Sequence, residues 1–256
     1  MWPEMPNNKP STIHPFPLKG DMQSAITNQP RQKVSFSPDF QEVPEGLGGL
    51  VKTQHLFIKQ SGLPIEIYSS VETQYEVLNS EGEKIFMADE TTDTSTKAWC
   101  RGTKPFDVSI LIRSGMYRKE VMKMFGEPRS CGCGGDITLK SAKTTLGTIE
   151  HAIEWSYPHY FVRDAEGNDV LQVIGAPTPS CFSFSREPPP GEFNVLLPDG
   201  KTFVGKIAKY WNGKEKDVLL KSDVWGVKFP LEMEVTHKAL LLGATFLLNF
   251  QYQTIE

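Results

Sequence analysis

The stretch best spaced for metal chemistry is the twelve residues from Lys221 to Glu232. A Ca2+ loop of the EF-hand kind takes oxygen ligands at positions one, three, five, seven and nine. It also needs a glycine at six for the sharp turn and a bidentate glutamate at twelve. Here Asp223 is third, Gly226 sixth and Glu232 twelfth, and Val227 at seven has only to offer its backbone carbonyl. Two positions depart from the pattern. Lys221 stands first, where an ammonium supplies no oxygen and its charge opposes a cation, and Trp225 stands fifth. Pro230 and the surrounding alternation argue against flanking helices. Asp223, Val227 and Glu232 are the candidate ligands of a weak Ca2+ loop. The competing reading is a strand–turn–strand corner.

Two further groups carry reactive or charged side chains. Cys131 and Cys133 sit among glycines in Cys131-Gly-Cys-Gly-Gly135. They lack a downstream cysteine or histidine pair at zinc spacing, and the glycines have the wrong spacing for a dinucleotide-binding turn. The plain reading is a Gly-rich surface loop. Lys206 and Lys209 stand beside Tyr210 and Trp211. Cations next to amphipathic rings suit a lipid headgroup interface or the groove of a nuclear import receptor; the plain alternative is an exposed strand end. Walker, GxSxG and HExxH patterns are absent, and the five histidines are scattered. No catalytic residues are assigned, and covalent enzyme chemistry is not expected. A net charge of −4 gives no global basic field for nucleic acid. The start, Met1-Trp-Pro-Glu-Met-Pro, has no basic region followed by an apolar stretch. The four cysteines are therefore expected to be reduced, as in a cytosolic compartment.

The elements that must position these residues begin after a Pro-rich tail. Eight prolines punctuate Met1 to Pro44, and proline both fixes φ and removes a ladder donor. Residues 1–45 read as a disordered tail, in which Pro3-Glu-Met-Pro6 formally fits a PxxP ligand. Residues 46–256 read as one domain of short alternating runs between turn signals. The runs are Leu56–Lys59, Gln74–Leu78, Lys84–Ala88, Phe106–Ile112, Glu120–Phe125, Ile137–Lys140, Thr148–Trp155, Tyr160–Arg163, Val170–Ile174, Phe193–Leu197, Thr202–Ile207 and Leu231–Val235. Asn79–Gly82, Ser114-Gly115, Ala165–Asn168 and Pro198–Gly200 punctuate them as hairpin turns. About twelve strands at this spacing suit a closed antiparallel barrel, and a barrel that wide must be filled.

The filler is the one long apolar run, Ala239–Phe250. As a helix it covers about 18 Å, short of a hydrocarbon layer of about 30 Å. It is apolar nearly all round, so protein or lipid must enclose every side. The expected fold is mainly β: about twelve strands closed around a hydrophobic C-terminal helix over 237–252. Leu240, Leu241, Leu242, Phe246, Leu247 and Leu248 form that helix's core or membrane face.

Taken in order, Gly205–Trp211, Trp225–Val235 and Lys238–Phe250 resemble the phospholipid scramblase family. Gly46-Leu47, Tyr75–Asn79 with Gly82, the Cys-containing loop before Ile137, and Asp169–Gly175 fit upstream. The resemblance covers about Gly46 to Tyr252. It implies a tubby-like barrel of twelve strands around a central helix, and ATP-independent, bidirectional, Ca2+-stimulated movement of phospholipids between leaflets. It also implies attachment to the plasma membrane by palmitoylated cysteines; Cys131 and Cys133 are the thiols in place, and two acyl chains suffice for stable anchoring. The family's Ca2+ loop corresponds to Lys221–Glu232, and a segment like Gly205–Gly213, with Lys206 and Lys209, is its nuclear import signal.

Two expectations follow. In the first, the chain is a scramblase at the cytoplasmic face of the plasma membrane, with a nuclear pool. Its partners are membrane phospholipids, with proteins reached through the Pro-rich tail and no direct nucleic acid. Its helix enters lipid, extended to Val235–Tyr252 with Lys238 snorkelling from one end, or else the barrel surface thins the bilayer. In the second, the chain is a lipid-tethered, tubby-like binding or regulatory module without intrinsic scrambling that shuttles to the nucleus, and the helix is barrel core.

Overall fold

The computed structural model describes residues 43–61, 71–91, 106–126, 136–142, 144–152, 157–176, 191–210 and 224–252. The expected Pro-rich tail, residues 1–42 of it, lies outside them.

Twelve antiparallel strands close into a barrel. They are β1 His55–Gln60, β2 Val71–Leu78, β3 Lys84–Thr91, β4 Phe106–Ser114, β5 Tyr117–Gly126, β6 Ile137–Ser141, β7 Thr144–Ala152, β8 His159–Asp164, β9 Asp169–Gly175, β10 Glu192–Leu196, β11 Phe203–Tyr210 and β12 Val224–Lys228. Each strand pairs with its neighbours in sequence, and β1 pairs with β12 to complete the ring. Closure leaves no open sheet edge. The helix α1, Val235–Gln251, follows β12.

Period-two alternation decides which side chains face the lumen. Leu56 and Ile58 of β1, Phe86 and Ala88 of β3, Leu171 and Val173 of β9, and Trp225 and Val227 of β12 are all buried, with less buried residues between most of them. The hairpin turns use the side chains the sequence offers. Asn79 Oδ1 accepts the Glu81 and Glu83 amides at 2.9 Å. Asp199 Oδ1 accepts those of Lys201 and Thr202 at 2.9 and 2.8 Å. Gly82, Gly115, Gly167 and Gly200 take the positive φ of such turns.

Because the strands alternate in direction, the short turns β2–β3, β4–β5, β6–β7, β8–β9 and β10–β11 all fall at one end of the barrel. The β12–α1 connection joins them there. We call this the turn end. The connections that hold Cys100, Cys131, Cys133 and Cys181 all join strands at the opposite end.

The helix enters at the turn end and fills the lumen. Thirteen of its seventeen residues are buried, Leu240, Leu241, Leu242, Phe246, Leu247 and Leu248 among them. At about 1.5 Å per residue it spans about 26 Å. Gly243 lets it close on the wall: a Cβ there would stand 2.6 Å from Leu139 Cδ2. Phe246 meets Tyr75 edge-on at 5.5 Å between ring centroids. No helix among the described residues is long and apolar enough to cross a membrane. The burial of α1 makes it the barrel's core, as the expected fold had it.

One expected strand is corrected. Leu231–Val235 is a turn followed by the first residue of α1, and the twelfth strand is Val224–Lys228. Leu231, Met233 and Val235 mimic a strand's alternation, but Pro230 carries no amide donor, and Glu234 O already accepts the Lys238 amide of the first helical turn at 2.9 Å. Leu231 is the exposed member of the three.

Leu241→Ala should lower stability to unfolding in urea by about 2–5 kcal/mol, the range for truncating a buried leucine. Leu247→Asp should abolish the cooperative transition, because it places an unpaired charge inside the barrel.

Candidate functional site

The chemistry that the fold concentrates lies at the two ends of the enclosed helix. At the turn end, Lys238 sits in the first turn of α1 and is 0% exposed. A cation is unfavourable at a helix N-terminus, where the backbone dipole is already positive. The fold compensates with carbonyls. The Lys238 ammonium donates to Leu231 O at 2.8 Å, Leu50 O at 3.0 Å and Val51 O at 3.1 Å, and stands 5.5 Å from the Phe229 ring centroid. Leu50 closes a short 3-10 turn, Gly48–Leu50, that precedes β1. One ammonium thus ties the chain's entry to the barrel, the turn after β12, and the helix. Burial pushes its pKa down to about 8, against the opposing charge of Glu232. Lys238 therefore does not snorkel towards lipid. Two of its acceptors come from nearly 190 residues upstream, so no local pattern announces them. Beside it, His237 lies 3.5 Å from Glu234, and burial lowers its pKa against the pull of Glu234 and Asp164.

At the far end the helix terminates among aromatic rings. The Tyr160 hydroxyl donates to Gln251 Oε1 at 2.5 Å. Burial raises the Tyr160 pKa well above its ordinary value, and the neighbouring Tyr252 adds to the shift. Phe193 lies 5.6 Å from Tyr252, 6.2 Å from Trp225 and 6.4 Å from Tyr160, centroid to centroid. Lys209 Nζ donates to Tyr252 O at 3.4 Å, which puts a cation at the helix's negative end. Buried Trp225 Nε1 and Gln251 Nε2 have no hydrogen-bond partner among the described residues.

The structure separates Lys206 and Lys209. They are three residues apart on β11, so alternation sends them to opposite faces. Lys206 pairs with Glu192 at 2.6 Å on the outside, whereas Lys209 reaches the helix end. They do not form one basic patch.

Of the Ca2+-loop candidates, Val227 is buried in β12, opposite Leu56 on one side and Ile207 on the other. Glu232 lies exposed in the following turn. β12 runs extended for five residues, about 17 Å at about 3.4 Å each. Such a strand does not wrap an ion that needs all its ligands within about 2.3–2.6 Å. The described part of the stretch, 224–232, is strand and turn, leading into a helix. Among the described residues no group of three or more His, Cys, Asp or Glu side chains is placed to hold a metal. Lys221, Asp223, Cys131 and Cys133 lie outside the described residues.

Lys238→Met should lower stability at neutral pH by about 1–3 kcal/mol, the cost of stranding a buried polar group. The pH profile gives a second signature. A native lysine with a pKa near 8 loses its proton before the unfolded chain does. Between pH 8 and about 10.5 the unfolded state binds more protons, so this residue's contribution makes stability rise with pH. Subtracting the Lys238→Met profile from that of the unaltered chain, both from denaturant melts, should isolate that rise.

Known proteins resemble this chain over most of its length. Residues 34–254 match the Scramblase family. Phospholipid scramblase 1 of Mus musculus is 30% identical over 217 residues, covering 82% of this chain and 64% of that protein. Phospholipid scramblase 2 of Bos taurus is 30% identical over 217 residues, covering 82% and 71%. Phospholipid scramblase family member 5 of Homo sapiens is 29% identical over 226 residues, covering 85% and 80%. The chain thus spans slightly less than two thirds of the mouse protein's length. No solved structure matches it. The match takes in every strand of the barrel and the helix inside it, and on that ground the chain belongs to the Scramblase family.

Proposed function

We propose that this chain is a phospholipid scramblase-like protein, supporting ATP-independent, bidirectional movement of phospholipids between leaflets at the cytoplasmic face of the plasma membrane. The observation that carries the reading is the match of residues 34–254 to the Scramblase family, together with relatives named as phospholipid scramblases. The geometry narrows the route. The lumen is occupied by α1, so headgroups do not pass through it, and lipid movement falls to the barrel's outer surface and the bilayer it disturbs. In this reading Cys131 and Cys133 carry the acyl anchor, the Pro-rich tail recruits protein partners, and no residue performs covalent catalysis. Ca2+ stimulation is the family's expectation; the extended geometry of β12 gives it no support from the described residues, so no step is routed through the ion.

A second reading is favoured by one observation, the burial of α1. A helix committed to the core is not available to lipid, which suits a tethered binding module with no intrinsic scrambling.

Purified full chain reconstituted in liposomes bearing a fluorescent headgroup reporter separates the two. The scramblase reading expects outer-leaflet reduction by dithionite to proceed beyond half of the signal. Adding Ca2+, and comparing a Cys131→Ser/Cys133→Ser variant, reads the ion and the anchor separately. Binding to liposomes with reduction halting at half the signal would sink the scramblase reading and leave the tethered module.

A further inference from the structure

The β4–β5 hairpin is built unlike the rest of the turn end. Its pairing runs from Phe106↔Gly126 to Ser114↔Tyr117, with a register shift at Ile110/Leu111. Val121, Met122 and Met124 belong to the core, whereas Tyr117 to Glu120 are all exposed. The last turn of the hairpin therefore stands clear of the barrel. At its tip, Met116 is 96% exposed and Tyr117 81%, the two most exposed large apolar side chains among the described residues. Gly115, at φ +62°, makes the tight reversal that presents them.

Within the hairpin's own last turn, Arg113 to Lys119, the charged side chains are all cationic. Arg113 and Arg118 are direct cross-strand partners, an arrangement that destabilises a hairpin when nothing negative lies between. Lys119 comes next, and no Asp or Glu occurs from Arg113 to Lys119, in a chain of net charge −4. Arg113 Nε is held by Gly115 O at 3.3 Å. Arg118 has Asp89 at 3.5 Å and Lys119 has Glu45 at 2.5 Å, both on half-exposed cation side chains. Three other turns at this end carry carboxylates: Glu81 and Glu83 in β2–β3, Asp164 and Glu166 in β8–β9, and Asp199 in β10–β11.

An apolar pair above a cationic collar is complementary to a bilayer bearing negative headgroups. The tyrosine ring suits the headgroup level, the thioether suits the acyl boundary, and planar guanidinium groups match phosphate oxygens in pairs. We propose that the β4–β5 tip, Arg113 to Lys119, is a membrane-docking finger for anionic phospholipid bilayers. Docking by this finger does not depend on transbilayer transport, so its failure and the failure of the scramblase reading are separable.

The test is cosedimentation of the full, unacylated chain with phosphatidylcholine vesicles, with and without phosphatidylserine. The unaltered chain should bind the phosphatidylserine vesicles, and added salt should weaken binding. Met116→Ser/Tyr117→Ser and Arg113→Gln/Arg118→Gln should each weaken that binding by about tenfold or more, tenfold corresponding to about 1.4 kcal/mol. The charge variant should also lose most of the salt dependence. Both should keep the parent's far-UV circular dichroism and melting midpoint, because the tip lies outside the core. Equal binding by parent and variants would overturn the proposal. So would parent binding indifferent to phosphatidylserine, or no vesicle binding at all, the result expected if the tip serves a protein partner.

Discussion

The constraint on which this structure depends is that α1 has no face to show water. A helix apolar on one stripe can lie on a sheet, but one apolar all round must be surrounded. Twelve antiparallel strands provide that surround, and the helix in turn fills a lumen too wide for the strands' own side chains. The strands without α1 would line a wet cavity with Leu139, Val162 and Trp225, and α1 without the strands would expose a run of leucines. Burial of each large apolar side chain contributes about 1.5–3 kcal/mol, and most of the helix's length takes part.

Polar groups set the depth and direction of the helix within this apolar packing. Lys238 at the first turn engages three carbonyls from two separate segments, and Tyr160 engages Gln251 at the last turn. Sliding the helix by one turn, about 5.4 Å, would break both sets at once. The cost of burying an ammonium against the helix dipole is offset by carbonyls that would otherwise seek water. Lys209 plays the easier counterpart, a cation placed where the dipole welcomes it.

The two ends of the barrel differ in kind. One carries tight turns, the helix entrance and the β4–β5 tip; at the other lie the strand ends between which the longer connections run. With the lumen closed by α1, the surfaces left to meet a partner are these ends and the outer wall. The polarity follows from topology alone, since an up-and-down barrel sends alternate connections to opposite ends.

The sequence by itself determined most of the wall and the identity of the filler. Alternation in Phe106–Ile112 or Val170–Ile174, and the Asn79–Gly82, Ala165–Asn168 and Pro198–Gly200 turns, are local signals with a two-residue or four-residue period, legible without knowing what they face. The all-round apolarity of Leu240–Leu248 likewise demanded enclosure. Local pattern also misled where two structures share it: Leu231, Met233 and Val235 alternate like a strand, yet lead into a helix. Tertiary structure alone decided between protein and lipid as the enclosure, because that choice depends on whether the ring closes through β1 and β12, more than 160 residues apart. It alone sent Lys206 and Lys209 to opposite faces and brought Leu50 and Val51 to Lys238. Interactions between distant segments leave no spacing in the chain to read; they arise only once the packed barrel sets which backbone groups are neighbours.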